Sequence, residues 1–131
     1  MRKKLILACG CIVILLTSCI IPKDARILKR TTREWRDSDI MFHAWVDSPL
    51  SAGFLKLREN GKFEHTSSGL IQSFNAGTWS HSQDTISLIY VDSRQNTTDT
   101  KIVTINRKTS TLVFLGDSIL LPMRIMTNKI K

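Results

Sequence analysis

Three histidines are the residues best suited to chemistry in this 131-residue chain. His43 stands in Met41-Phe42-His43-Ala44-Trp45, and His65 and His81 fall at inward positions of segments that alternate as strands do. Imidazoles from separate strands can bind Zn or Cu, and Met41, Met123 and Met126 offer soft sulfur beside them. No pair of the histidines stands at a metal-ligand spacing, so separate, hydrogen-bonded rings are the simpler expectation and no metal site is assigned. Hydrolysis has no stronger case. Serines and aspartates are numerous enough to accompany a histidine by chance, and no G-x-S-x-G turn is present to raise a serine as a nucleophile. The acids Asp37, Asp39, Asp47, Glu59, Asp84, Asp92, Asp99 and Asp117 fall where turns are expected, and turn chemistry accounts for them. No catalytic residue and no cofactor are assigned, and the expectation is a protein that is not an enzyme.

The start of the chain is more specific. Met1-Arg2-Lys3-Lys4 leads into an apolar stretch of 12 residues, Leu5 to Leu16, followed by Thr17-Ser18-Cys19. A basic start, a short apolar segment and small residues before a cut site make an export signal. The four residues Leu16-Thr17-Ser18-Cys19 closely resemble the lipobox of bacterial lipoproteins. That resemblance implies cleavage between Ser18 and Cys19, a diacylglyceryl thioether on Cys19, and acyl chains of the palmitate type holding the chain to a membrane of the cell envelope. Ile20 follows the cysteine with no aspartate to signal inner-membrane retention, which under the rule for enteric bacteria implies the outer membrane. The alternative is an uncleaved anchor, since Leu5 to Ile21 is 17 residues long and could cross a thin bilayer.

Processing would leave 113 residues, enough for one core, and the loss of Arg2, Lys3 and Lys4 lowers the net charge from +8 to +5. Cys9 and Cys11 leave with the signal and Cys19 is alkylated, so the mature chain would hold neither a free thiol nor a disulfide. Thiol catalysis and cysteine metal sites are then excluded. Residues 19–39 read as a lipidated, basic tether. Lys23, Arg26, Lys29, Arg30, Arg33 and Arg36 fall close together there, the first charge four residues from Cys19. The first five are candidates for contact with an anionic membrane surface, against a merely solvated tether. Ile27, Thr31 and Trp35 recur every four residues, so a short amphipathic helix, a tether and a first strand all stay open for this segment. Nucleic acid is not expected as a partner, because the strands show no interleaving of basic and aromatic residues.

From residue 40 to 131 short alternating runs are broken by turn residues at close spacing, with no long helical period. This predicts one all-β domain, an antiparallel meander barrel or sandwich of about eight strands. The strands are expected at 40–46, 53–58, 62–67, 75–82, 85–92, 100–107, 111–115 and 118–126. A three-residue loop Glu59-Asn60-Gly61 would pair Leu57 with Phe63 and Leu55 with His65, keeping apolar residues on one face. A turn at Gln83-Asp84 would set His81 opposite Ile86, Trp79 opposite Leu88 and Gly77 opposite Tyr90. A tight turn at Gly116-Asp117 would pair Phe114 with Ile119 and Leu112 with Leu121, with Pro122 marking an edge or a bulge. Leu55, Leu57, Phe63, Trp79, Leu88, Tyr90, Leu112 and Phe114 are the expected core.

Leu55-Lys56-Leu57, Asn60-Gly61-Lys62-Phe63, Gly77-Thr78-Trp79 and Asp84-Thr85-Ile86-Ser87-Leu88 together resemble small bacterial lipocalin-like lipoproteins, with an N-G-x-F hairpin, a G-x-W strand and a D-T-I-x-L strand. The resemblance covers about 35 of the 113 mature residues and implies a lipocalin-like β domain over residues 40–131. G-x-W falls in mid-domain here rather than on a first strand, and barrels of this size are filled by side chains, so it does not extend to a large calyx.

The functional expectation is a membrane-anchored envelope lipoprotein that binds a small apolar ligand or a protein partner at an open barrel end. Leu70, Ile71 and Phe74, apolar residues in a polar connection, are the candidate ligand residues, with plain capping of the barrel as the alternative. A second class is an inhibitor or immunity-type lipoprotein that blocks a secreted hydrolase through loops such as 47–52 or 92–100. A Zn or Cu binder is the third.

Overall fold

The described residues of the computed structural model are 23–49, 51–68, 72–92, 97–117 and 121–131. The export signal, Ser18, Cys19, Leu70, Ile71 and Ile119 lie outside them, and with Ile119 the expected Phe114–Ile119 pair. Eight strands form one closed antiparallel barrel in sequence order: β1 (Ile40–Ser48), β2 (Ser51–Arg58), β3 (Lys62–Ser68), β4 (Ser73–Ser82), β5 (Thr85–Asp92), β6 (Thr97–Asn106), β7 (Thr111–Phe114) and β8 (Met123–Asn128). β8 closes the ring on β1, with Ala44 opposite Ile125 and Phe42 opposite Asn128.

Alternation decides which side chains fill the barrel. Phe42, Ala44, Leu55, Leu57, Phe63, Ile86, Leu88, Val103 and Leu112 point inward and are fully buried, with Tyr90, Ile105, Phe114, Met123 and Ile130 completing the core. Eight strands enclose just enough room for such side chains. Trp79 packs against the core at one end, and its Nε1 donates to the Arg58 carbonyl at 2.8 Å.

Two of the three expected registers are present. Leu57 pairs with Phe63 and Leu55 with His65 across a turn in which Gly61 has φ +75°. His81, Trp79 and Gly77 pair with Ile86, Leu88 and Tyr90. A Cβ on Gly77 would meet the Ile89 carbonyl at 1.8 Å and the Phe63 ring at 2.9 Å, so backbone as well as ring approach requires glycine there. The third register differs: Leu112 pairs with Met123, not Leu121, which is 48% exposed. Pro122 has no N–H for a ladder, so β8 begins one residue after it.

The segment expected as a tether is structured from Lys23 on. A helix, α1 (Lys23–Thr31), leads into a 3-10 helix at Arg33–Asp37 and packs on the outer wall at β4. Its inner stripe is Ala25, Leu28 and Thr32, spaced three and four apart, and the Thr32 hydroxyl donates to the Leu28 carbonyl at 2.7 Å. The stripe expected from Ile27, Thr31 and Trp35 is not the packed one: Ile27 is 54% exposed. Within the packed stripe the small Ala25 and Thr32 are buried and the larger Leu28 is half-buried. Ala76 faces outward from β4 yet is fully buried under this cover.

Candidate functional site

The wall beneath α1 carries a cleft built from outward-facing residues. On β2 these are Phe54, Lys56 and Arg58; on β3, Glu64 and Thr66; on β4, Phe74. α1 adds Ala25 and Lys29, and the 3-10 helix adds Arg36, enclosing about 260 Å³. At its back Glu64, 4% exposed, lies between two guanidinium groups. Arg58 Nη2 donates to Glu64 Oε2 at 2.8 Å, and Arg36 Nε donates to Glu64 Oε1. Burial alone would raise the Glu64 pKa, but the hydrogen bonds and charges of Arg36 and Arg58 outweigh it and hold the carboxyl below its ordinary value.

Arg58 also ties the cover down. Its Nη1 donates to the carbonyls of Arg36 at 2.8 Å and Ser38 at 2.7 Å. Arg36 reaches back to the Lys29 carbonyl at 3.1 Å. One buried carboxylate therefore fixes two arginines, and the arginines fix the chain leaving α1.

What remains open in the cleft is apolar and cationic. Arg36 lies over the Phe74 ring at 5.5 Å, and the Lys56 ammonium lies over Phe54 at 4.6 Å. Four cations, Lys29, Arg36, Lys56 and Arg58, face the single carboxylate of Glu64. The Thr66 hydroxyl is buried with no hydrogen-bond partner. Phe74, one of the expected ligand residues, is the second residue of β4 and faces outward on the wall rather than into the lumen. It pairs with Thr66, one residue out of phase with the inward His65 and Asn75.

A second polar group sits inside the barrel. His65, 6% exposed, shares a hydrogen bond of 2.8 Å between Nδ1 and the Tyr90 hydroxyl and stacks on Phe114 at 5.4 Å. Lys101 lies 5.7 Å from the Tyr90 ring centre and 3.1 Å from Asp117 Oδ2. Burial, with Lys101 nearby and Asp117 opposing, pushes the His65 pKa down to about 4. Burial, with Asp99 and Asp117, pushes the Tyr90 pKa up. At neutral pH both groups are uncharged, and the His65 Nε2 finds no partner.

The histidines do not converge. His43 faces outward and meets the Phe54 edge at 6.4 Å, while His81 is exposed at the end of β4 and stacks on Trp79 at 5.8 Å. Among the described residues no group of three or more His, Cys, Asp or Glu is placed to hold a metal ion. The Arg36–Glu64–Arg58 group went unnoticed in the sequence. Its signal was the register that sets Lys56 opposite Glu64 on the outer face, which puts a carboxylate beside cations.

Fold and cleft define a closed eight-stranded meander barrel with a helix clamped to its outer wall. No family model, curated protein or solved structure matches the chain. Among the described residues no helix is long and apolar enough to cross a membrane.

Proposed function

We propose that this protein is an outer-membrane lipoprotein of the bacterial cell envelope, anchored through Cys19, whose wall cleft binds a small amphiphile with an apolar body and an anionic group. The observation that carries the ligand class is the lining: Phe54 and Phe74 as walls, with four cations around one carboxylate. At about 260 Å³ the cleft lies at the small end of ligand pockets, so it suits a head group or a short acid more than a whole lipid. The Thr66 hydroxyl supplies a donor that a ligand oxygen would satisfy.

The test uses anilinonaphthalene sulfonate, an anionic aromatic probe, with the processed lipoprotein. Saturable fluorescence, displaced by decanoate and not by decanol, is expected. Lys56→Glu and Phe74→Ala should each weaken it about fivefold, the scale of one exposed charge or one ring contact. Equal displacement by decanol, or indifference to both substitutions, sinks the reading. Intact-mass analysis addresses the anchor: a chain starting at Cys19 with added acyl mass is expected, and one starting at Met1 without it overturns the assignment.

The filled barrel favours a second reading, the inhibitor or immunity-type lipoprotein, because recognition then falls to the outer surface. Trp45 and Met126, exposed on the adjacent strands β1 and β8, would serve it. Recovery of one secreted hydrolase by the purified protein, lost in Trp45→Ala, would support it.

A further inference from the structure

α1 has a second stripe, which the cleft leaves unused. Lys23, Arg26, Ile27 and Arg30 stand three, four and seven residues apart, so they line one side of the helix, opposite the packed Ala25, Leu28 and Thr32. All four are exposed, and Ile27 is an isolated apolar side chain among three cations. Arg33, in the 3-10 helix, is a further exposed cation, whereas Lys29 and Arg36 turn to the cleft. The acids along this stretch are Asp24, Glu34 and Asp37, so residues 23–37 carry six cations against three anions.

We infer that the Lys23, Arg26, Ile27 and Arg30 side of α1 is a docking surface for an anionic bilayer, holding the barrel with its α1-bearing wall toward the membrane. This rests on the lipid attachment at Cys19. Only Ile20, Ile21 and Pro22 separate Cys19 from Lys23, a reach of at most about 15 Å. That is under two Debye lengths at physiological salt, so the cations stand within the surface potential. Each Lys or Arg near such a surface favours contact about fivefold, and three together about a hundredfold. A basic stripe carrying an aliphatic side chain is the composition that settles in the head-group layer.

The processed lipoprotein offers a clean probe, because with Cys19 alkylated an introduced cysteine is its one reactive thiol. A fluorophore is placed at Ile27→Cys, or as control at Thr100→Cys on the outer wall three strands from β3. Both proteins are reconstituted in phosphatidylglycerol vesicles and in phosphatidylcholine vesicles carrying a head-group quencher, and their intact masses are checked. The label at 27 should be quenched several-fold more than that at 100 in phosphatidylglycerol, with the difference removed by high salt and by Arg26→Glu with Arg30→Glu. Equal quenching in a protein whose mass shows the lipid overturns the docking surface while leaving the anchor standing. An unlipidated mass overturns the anchor, and this inference with it. Self-quenching that grows with protein density would show a second copy of the chain covering the stripe, and also overturns it.

Discussion

His65 is a buried, uncharged imidazole whose hydrogen bond to Tyr90 lies inside the barrel. Its ring is buried beside Lys101, with Asp117 opposing, and its pKa falls from 6.5 to about 4. As pH drops through that window, the unfolded chain takes up a proton that the folded chain refuses. The contribution is therefore full above about pH 6.5, is lost progressively toward pH 4, and is constant below it. A shift of this size corresponds to at most about 3 kcal/mol. Glu64 acts in the next window down: its depressed carboxyl stabilises the fold above about pH 4.5, and that contribution is lost as pH falls further. Denaturant titrations at pH 7.5 and pH 4.5 should show wild type losing between 1 and 3 kcal/mol. His65→Phe keeps a ring against Phe114 and should lose distinctly less over the same interval. His43, also depressed, is common to both proteins and cancels in the comparison. A wild-type stability that does not change across this range would contradict the burial of a neutral His65.

Elements were legible in the sequence where alternation and turn chemistry agreed. The register at Phe63 follows from keeping apolar residues on one face, since a one-residue slip would pair Leu57 with Glu64, and the register at Trp79 follows from the turn at Gln83-Asp84, which sets Tyr90 over Gly77. The β7–β8 register was misread because Gly116-Asp117 looks like a complete turn, and the blocking effect of Pro122 was assigned to the strand and not to its start. α1 was harder for a physical reason. Its packed stripe is Ala25, Leu28 and Thr32, no more apolar than the stripe through Ile27, and which side packs is set by the wall at Ala76, far away in the sequence. The two turn and strand glycines should separate experimentally. Gly61→Ala places a Cβ in open space and strains only a positive φ, costing about 1 kcal/mol. Gly77→Ala drives a Cβ into the Ile89 backbone and should cost several times more. Thermal melts showing equal losses would mean that β4 and β5 shift freely. Glu64→Gln tests the clamp on α1: breaking a buried ion pair costs about 3–5 kcal/mol. It leaves two arginines facing a neutral amide, so trypsin should cut faster after Lys29, Arg30 and Arg33 while the barrel stays resistant.

On the scale of the whole molecule, the barrel lumen and the wall cleft under α1 are separate bodies of packing. The lumen is closed by its own core of Phe42, Leu55, Leu57, Phe63, Ile86, Leu88, Val103 and Leu112, none of which touches solvent. The cleft exists because a segment from the start of the chain lies across strands that follow it, a long-range contact with no local signature. Phe74 shows the consequence. Its residue type pointed to a ligand, but which side of the wall it faces follows from β3–β4 pairing, and what covers it follows from α1. A substitution at the seat should therefore remove binding and spare the barrel. Ala76→Leu adds three carbons at a fully buried outward position under α1, where overpacking costs about 1–3 kcal/mol. The strain is relieved by lifting α1, since the strand is held on both sides by ladders with β3 and β5. Trypsin cleavage within residues 23–37 should accelerate, and anilinonaphthalene sulfonate fluorescence at the cleft should fall to the level of Phe74→Ala. The acid-dependent loss set by His65 should keep its size, because that ring looks into the lumen and not toward the wall. If binding survives while α1 is being cut, the ligand seat lies elsewhere on the barrel; if the His65 dependence disappears as well, helix and lumen form one cooperative unit and the division drawn from their packing is wrong.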